Sequence, residues 1–229
     1  MISRNEKLYR EALTRYYSNE RGIKINLRVT SSDLEERKIV SRSIIPLFHH
    51  TFAAHLKNDR MTPKTPEQSK TIMTDLVLPS ETNPLNNLFG GELLARMDRA
   101  ASIAARRHSR RIVVTASVNH VAFNRSVPLG SVVTVEAKVS RAFKTSMEVF
   151  LDVWIEDRES GLRDRANEAI YTFVAVDETG RPIQVPEITP ETDLEKERYD
   201  AALRRKQLSL VLAGKMKPNE ATELKALFQ

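Results

Sequence analysis

The chain has 229 residues, of which 41% are apolar and 29% charged, and its mean hydropathy is −0.40. This length and composition predict one compact core with appendages, neither disordered nor fibrous. The chain has no cysteine, which excludes disulfides, cysteine-ligated zinc, iron–sulfur clusters and a cysteine nucleophile. No apolar run is long enough for a transmembrane span or a secretory signal, so we expect a cytoplasmic protein with no membrane partner.

The net charge of +6 is concentrated near the N-terminus. Residues 1–60 contain 12 lysines and arginines against 7 acidic residues, whereas the other 169 residues contain 24 against 23. We therefore predict a basic N-terminal extension over residues 1–60. The polar residues 61–70 contain two prolines, which is typical of a linker, and Met61 is a possible internal start.

From residue 71 onward the pattern predicts an α+β domain over residues 71–189, followed by a helical C-terminal tail over residues 190–229. One strand and one helix precede four strands joined by short turns. That order favours an antiparallel sheet around a single central helix over alternating βαβ units. The predicted strands are residues 74–78, 111–123, 131–143, 145–157 and 166–177, and the predicted helices are residues 92–108, 191–212 and 218–228.

Several classes of site are excluded by the residues that are missing. The seven glycines form neither a dinucleotide fingerprint nor a Walker loop, and the chain has no G-x-S-x-G nucleophile elbow. His49 and His50 are adjacent without a third ligand at metal spacing, while His108 and His120 are expected to be structural or surface residues. We therefore expect no metal and no cofactor.

Asp98 is the anomalous residue of the central helix. Leucine, methionine and alanine side chains recur at three- and four-residue spacing from Leu93 to Ala105, and Asp98 lies at the edge of this apolar face. An aspartate is seldom buried unless it is paired or functional, because desolvating the charge is costly. The alternative is a solvated aspartate that pairs with Arg99 or another neighbour.

The residues before the helix favour a functional role for Asp98. Gly90 and Gly91 allow another molecule to approach the backbone, and free N–H groups at a helix start favour a developing negative charge. Asn83, in the preceding turn, could orient a carbonyl or a water molecule. Asp98 could then act as a general base or as a nucleophile, and the sequence does not separate these two mechanisms.

These residues belong to an ordered set of segments that spans residues 73–186 and resembles the hotdog-fold acyl-CoA thioesterases of the brain-type cytosolic acyl-CoA hydrolase group. One position departs from the family pattern, because Asn86 stands where the family usually has glycine. Asparagine tolerates a left-handed backbone better than other non-glycine residues, so the turn can be kept. The matching segments are residues 78–91, Met97-Asp98, Arg107-His108, residues 113–117, Phe123, residues 145–149 and residues 172–177.

The resemblance implies a sheet wrapped around one long helix and active sites at a dimer interface. It implies hydrolysis of fatty acyl-CoA to fatty acid and coenzyme A by a homo-oligomer, either a dimer or a trimer of dimers. Asp98 would be the catalytic carboxylate, Asn83 an amide contributed across the interface, and Gly91, next to Gly90, the oxyanion donor. The coenzyme A arm would lie along Lys144, Thr145, Ser146, Ala116, Ser117 and Val118.

Two further interpretations stay open at this stage. The arginines at positions 106, 107, 110 and 111 could attract the phosphates of coenzyme A, or they could be cations at a solvated helix end. The chain could also be a non-catalytic acyl-CoA-binding regulator whose basic extension binds nucleic acid. We expect no nucleic-acid partner, because residues 1–60 lack two amphipathic helices joined by a short turn.

Trp154, in a predicted strand, is expected in the core.

Overall fold

The computed structural model describes residues 61–156 and 160–228. The predicted basic extension, its suggested nucleic-acid role, His49 and His50 all lie outside these residues. Within the described part, five strands and three helices follow one another in the predicted order. They are β1 (Thr71–Leu76), α1 (Gly90–Ser109), β2 (Ile112–Ala122), β3 (Val132–Ala142), β4 (Ser146–Glu156), β5 (Arg163–Val176), α2 (Asp193–Leu212) and α3 (Thr222–Lys225).

The five strands form one antiparallel sheet in the order β1-β3-β4-β5-β2, so β1 and β2 are its edges. This arrangement confirms the predicted α+β class with an antiparallel sheet. The register shifts twice along β2, between Thr115 and Ser117 and again between Val118 and His120. Such bulges bend a strand and increase its twist, so they are typical of a sheet that curves around a helix.

Helix α1 packs on one face of this sheet. Its methionine and four of its alanines are completely buried, and they meet the inward side chains of β3 and β4, which alternate along each strand. Small side chains let the helix backbone approach the sheet, as expected from the sequence. The buried residues of this layer include Met97, Ala100, Ala101, Ala104, Ala105, Val133, Val135, Val149, Leu151 and Val153.

Several element boundaries differ from the prediction, and two of them have a clear local reason. Strand β1 ends at Leu76, two residues early, because Leu78 becomes the N-cap of a 3₁₀ turn that begins at Pro79. Helix α1 begins two residues early, at Gly90, with Phe89 as its N-cap. The two glycines are therefore the first two residues of the helix, and they do not precede it.

Residues 61–70 pack against the domain, which differs from the expected linker. The Lys64 N–H donates to the Glu187 carbonyl at 2.9 Å, and the Thr189 N–H donates to the Lys64 carbonyl at 2.9 Å. The Ser69 hydroxyl oxygen, fully buried, accepts the Val139 N–H at 2.9 Å. These bonds join distant parts of the chain, so local composition could not reveal them.

Helix α2 lies on the opposite face of the sheet from α1. Outward side chains of β4 bind it through two ion pairs: Arg205 to Glu148 at 2.7 and 2.9 Å, and Arg198 to Asp152 at 2.9 and 3.1 Å. Trp154 belongs to this outward row and is half-buried there, so its expected place in the core is wrong. None of the described helices is long and apolar enough to cross a membrane.

Candidate active site

Asp98 is half-buried on α1, where the helix crosses the edge strand β2. The Thr115 hydroxyl on β2 donates a hydrogen bond to Asp98 Oδ1 at 2.8 Å. Within the described residues Asp98 forms no ion pair, and Arg99 is not its partner. The carboxylate is therefore held by a neutral hydroxyl and keeps its negative charge uncompensated, unlike the ion-paired aspartate of the alternative interpretation.

A pocket of about 390 Å³ opens beside this carboxylate. Its lining is apolar apart from Asp98 and the hydroxyl of Tyr171. The Tyr171 hydroxyl donates to the Leu94 carbonyl at 3.3 Å, and burial together with the charge of Asp98 raises the pKa of Tyr171 to about 12. Tyr171 is therefore neutral at ordinary pH, so Asp98 is the one charged group among the described residues that line the pocket. The pocket is formed by Leu94, Ala95, Asp98, Val118, Val121, Phe123 and Tyr171.

The start of α1 lies at the rim of this pocket. A Cβ placed on Gly90 would lie 3.7 Å from the ring of Phe123, which lines the pocket, and one on Gly91 would lie 3.1 Å from the ring of Phe89. Within the described residues, the N–H groups of Gly90 and Gly91 have no hydrogen-bond acceptor, because helix starts leave their first donors unpaired. The rim therefore presents two free N–H donors at the positive end of a helix.

Asn83 lies in the turn before α1, where its side-chain oxygen organises the turn. Asn83 Oδ1 accepts the N–H groups of Leu85 and Asn87 at 3.0 and 3.2 Å. Its Nδ2 makes no hydrogen bond within the described residues, and no bond joins Asn83 to Asp98. Asn86 has a φ of 53°, so this asparagine adopts the left-handed conformation for which the family pattern has glycine. The turn is kept despite that substitution.

The residues expected along the coenzyme A arm fall into two groups near Asp98. Lys144 is exposed and Thr145 is half-buried in the turn between β3 and β4, and Ser146, the first residue of β4, is buried. Ser146 pairs with Val174 on β5, and Val174 pairs in turn with Val114 on β2, one residue from Thr115.

The second group lies on β2 itself. Ala116, Ser117 and Val118 are exposed along this edge strand, and Val118 also lines the pocket. Ala116 has no partner on β5, because the register shifts between Thr115 and Ser117. Val118 of the second group therefore lies beside Asp98, whereas the first group is related to Asp98 only through the strand register, and no hydrogen bond joins Asn83 to Asp98.

The C-terminal end of α1 has a structural role in the described residues. His108 is fully buried and its Nε2 lies 2.8 Å from the Pro186 carbonyl oxygen, while burial lowers the pKa of His108 to about 4. Arg107 binds the Lys70 carbonyl and the Thr71 hydroxyl, so its guanidinium anchors the segment before β1. His120 pairs through its backbone with Ile170. No cluster of three or more metal-ligating side chains occurs in the part of the chain that the structure describes.

A larger cavity, of about 450 Å³, lies on the opposite face beneath α2. Charged side chains in this cavity form ion pairs with one another: Asp152 pairs with both Arg198 and Arg165. Because these charges are compensated and Asp98 is absent from this lining, we assign the candidate site to the smaller pocket.

Sequence reasoning did not assign roles to Thr115, Phe123 and Tyr171. Thr115 and Phe123 lie in the segments that carry the family resemblance, but alternation along a strand does not show which hydroxyl or ring faces a helix. Tyr171 is part of an apolar run in β5 and is buried to 1% exposure, so it could not be told from an ordinary core residue.

Comparison with known proteins gives consistent matches. The family model described as "Thioesterase superfamily" matches residues 85–162. YkhA of Bacillus subtilis, named an uncharacterized acyl-CoA thioester hydrolase, is 40% identical over 146 residues, which are 63% of this chain and 85% of that protein. A crystal structure of a hexameric acyl-CoA thioesterase is 39% identical, with a TM-score of 0.64 over 66% of this chain and 97% of that chain.

An acyl-CoA hydrolase of Staphylococcus aureus, solved in complex with butyryl coenzyme A, coenzyme A and coenzyme A disulfide, is also similar. It is 34% identical, with a TM-score of 0.63 over 73% of this chain and all of that chain. Structures of the S. aureus hydrolase with an aspartate, a threonine or an asparagine replaced by alanine match as well. The aspartate variant is 36% identical, with a TM-score of 0.63 over 66% of this chain and 93% of that chain. The threonine variant is 35% identical, with a TM-score of 0.61 over 66% of this chain and 94% of that chain. The asparagine variant is 34% identical, with a TM-score of 0.63 over 72% of this chain and 98% of that chain.

Proposed function

The chain belongs to the acyl-CoA thioester hydrolases of the hotdog-fold thioesterase superfamily, and we propose that Asp98 is the catalytic carboxylate of its reaction. The reaction consumes one fatty acyl-CoA and one water molecule and yields a fatty acid and coenzyme A. The observation that carries the assignment is the uncompensated charge of Asp98, held by Thr115 at the edge of an apolar pocket.

Asp98 can serve this reaction in either of two ways. As a general base, it removes a proton from water while the water oxygen adds to the thioester carbonyl, and it returns the proton to the leaving thiolate. As a nucleophile, its oxygen adds to the carbonyl and coenzyme A leaves as the thiolate. Water then hydrolyses the resulting anhydride to the fatty acid and the free Asp98 carboxylate, and the proton released in that step neutralises the thiolate. In both, the bond from Thr115 keeps the second oxygen of Asp98 free to face the substrate.

The start of α1 is suited to the negative charge that develops on the carbonyl oxygen. We assign this role to the N–H group of Gly91, with Gly90 beside it, because neither donor has an acceptor within the described residues. Donors that are already in place stabilise a transition-state oxyanion without reorganisation, and removing one typically costs about 100-fold in kcat or more. The absence of a side chain at both positions leaves the backbone accessible to the thioester.

Asn83 supplies the amide of a site shared between two protomers in this proposal. Its Nδ2 has no partner within the described residues, and no hydrogen bond joins Asn83 to Asp98 of the same chain. The edge strand β2 exposes Ile112, Val114 and Val118, and an uncovered apolar edge needs a partner. The hexameric relative supports a homo-oligomer, as a dimer or a trimer of dimers.

The substituted S. aureus structures support the same three residues. In that hydrolase the replaced asparagine and aspartate are 15 positions apart, and the aspartate and threonine are 17 apart. Asn83 and Asp98 are likewise 15 positions apart in this chain, and Asp98 and Thr115 are 17 apart. The three residues replaced in the S. aureus hydrolase therefore have the same spacing as Asn83, Asp98 and Thr115 in this chain.

The coenzyme A arm is proposed to follow the two groups of residues near Asp98. The exposed ammonium of Lys144 suits the phosphates, and the exposed backbone along Ala116, Ser117 and Val118 suits the pantetheine amides. Thr145 and Ser146 shape the turn that carries Lys144. A cytoplasmic location is proposed on the likeness to relatives named cytosolic, one of which, from rat, is 34% identical over 140 residues, 60% of this chain and 37% of that protein.

The deciding experiment replaces Asp98 with Asn and measures thiol release from acyl-CoAs of increasing chain length. Asn can still accept the Thr115 hydroxyl bond, so the fold should persist, while kcat should fall by about 100-fold or more. Asp200→Asn is the matched control, because Asp200 is exposed on α2. An Asp98→Asn protein that turns over at the wild-type rate would refute the assignment.

A mixing experiment tests the shared site. Asp98→Asn and Asn83→Ala proteins should each be inactive alone, whereas a hybrid dimer of the two contains one site with both native residues. Co-expression of differently tagged chains should therefore restore a fraction of the activity in the doubly purified hybrid. Hybrids without recovered activity would show that Asn83 does not act across the interface.

A further inference from the structure

Glu81 and Arg96 form an ion pair beneath the turn that carries Asn83. Arg96 Nη2 lies 2.9 and 2.8 Å from the two carboxylate oxygens of Glu81 and donates to the Leu76 carbonyl at 3.1 Å. The Arg96 side chain is only 4% exposed although it carries a full charge. Its Nη1 is buried without a partner, so the contacts of Nη2 are what compensate its desolvation.

The pair joins the two segments that carry the proposed catalytic groups. Arg96 precedes Asp98 by two residues on α1, and Glu81 precedes Asn83 by two residues in the turn. Helix α1 is held by its buried face, but the Asn83 turn is mostly exposed and needs a separate attachment.

Glu81 is well placed to provide that attachment. Its Oε2 accepts the Leu78 N–H at 2.9 Å, and its carbonyl oxygen accepts the Phe89 N–H at 2.8 Å, so it binds the chain on both sides of the turn. The Leu78 N–H first and Arg96 second hold the pKa of Glu81 below its ordinary value. The carboxylate therefore stays charged and paired at neutral pH.

We propose that the Glu81–Arg96 ion pair is a positioning device that fixes the turn carrying Asn83 to the helix carrying Asp98. The inference rests on the proposed function, because it gives the pair a role only if both residues act in hydrolysis. In a shared site each protomer gives Asp98 to one site and Asn83 to the other. The pair then connects the two sites of a dimer through a single chain.

Glu81→Gln and Arg96→Met, singly and together, test the pair. Gln keeps an oxygen that can accept the Leu78 N–H, and Met keeps much of the apolar stem of Arg96. Each single variant should lower kcat by roughly tenfold with KM within about twofold, and the double variant should be no worse than either, because partners of one unit are not additive. Unchanged kcat in the folded singles, or fully additive losses, would overturn the inference.

Arg198→Met is the matched control for stability. Arg198 also forms a double contact with a carboxylate, Asp152, and its side chain is 17% exposed, but it lies on the outer face of the sheet. This variant should lower the unfolding temperature without changing kcat. If Arg198→Met lowers kcat as much as Arg96→Met does, the effect of Arg96 is general destabilisation and positioning is wrong.

Hybrid dimers show which catalytic group the pair positions. In the hybrid, the Asp98→Asn chain supplies Asn83 to the one native site. Adding Arg96→Met to that chain should loosen the turn that carries Asn83 and abolish most of the restored activity. The same change on the Asn83→Ala chain, which supplies Asp98, should cost less, because α1 is held by its core packing. Equal losses would overturn the inference.

The single variants separate this inference from the proposed function. A fully active Asp98→Asn protein would refute the proposed function, whereas an inactive Asp98→Asn protein together with a fully active Arg96→Met protein would refute only the role of the ion pair.

Discussion

His108 should make this fold lose stability as the pH falls from 6.5 towards 4. The imidazole is fully buried at the end of α1, with Nε2 bound to the Pro186 carbonyl and Nδ1 buried without a partner. A proton added at Nδ1 would place an unpaired charge in the core. Burial is therefore the first cause of the lowered pKa, which falls from 6.5 to about 4.

The sign and the size of the effect follow from this difference. Between pH 6.5 and about 4 the unfolded chain binds a proton at His108 that the folded chain does not, so the free energy of unfolding decreases as the pH falls. One pKa unit corresponds to about 1.4 kcal/mol, so the full difference amounts to about 3 kcal/mol. Above pH 6.5 both states are neutral and this residue contributes no pH dependence.

Denaturant unfolding at a series of pH values measures this loss. Trp154 is the only tryptophan, and its half-buried position on β4 makes its fluorescence a probe of the sheet. The protein concentration is held constant, because oligomer formation makes apparent stability depend on it. His108→Gln serves as the comparison, since an amide N–H can donate to the Pro186 carbonyl but does not titrate.

The difference between the two proteins isolates His108. The carboxyls of Glu67, Glu81 and Asp177 have pKa values lowered chiefly by hydrogen bonds, so their stabilisation declines as the pH falls below their ordinary values of 4.5, 4.5 and 3.8, and it does so equally in both proteins. The wild type should lose about 3 kcal/mol more than His108→Gln between pH 7 and 4. Parallel pH curves for the two proteins would refute the buried neutral imidazole.

Three other predictions concern the site and the assembly. Thr115→Val removes the hydrogen bond from the Thr115 hydroxyl to the charged Asp98 carboxylate, worth about 1.5–3 kcal/mol, and should lower kcat by roughly 10- to 100-fold. The control is Thr134→Val, which removes a β3 hydroxyl that is hydrogen-bonded to Thr74 and should leave kcat unchanged. A chain that begins at Met61 keeps the backbone bonds of Lys64 and should be folded and fully active, and its aggregation would show that residues 1–60 belong to the core. Light scattering should give an even multiple of 26.1 kDa, and a monomer at working concentration would contradict the shared site.

The sheet and the central helix could be predicted because their signals are periodic and local. Strands β3, β4 and β5 alternate along their length, and the small residues from Ala100 to Ala105 mark one face of α1. The packing of residues 61–70 could not be predicted in the same way. Its bonds reach Glu187 and Val139, far along the chain, while its own composition is polar and contains two prolines.

Asp98 could be found from the sequence, but its partners could not. An acidic residue at the edge of an apolar stripe is visible in a single helix, whereas the bond from Thr115 depends on how β2 crosses that helix. The ion pair of Glu81 with Arg96 depends likewise on the path of the turn. Both contacts join segments whose relative position is set by the packing of α1 on the sheet, which periodicity alone does not define.

The N-terminal half of α1 carries the proposed catalytic groups, whereas its C-terminal end contains the buried, titratable His108. A pH profile of activity therefore has two possible causes. The first half of the helix carries Asp98, which lines the pocket, and the proposed oxyanion donor Gly91, whereas the last turn is anchored by His108. Because both halves belong to one 20-residue helix, protonation of His108 destabilises the element that carries Asp98 without touching the pocket. Activity lost in acid together with the Trp154 signal therefore reports unfolding, and only a loss that precedes that signal reports titration within the site.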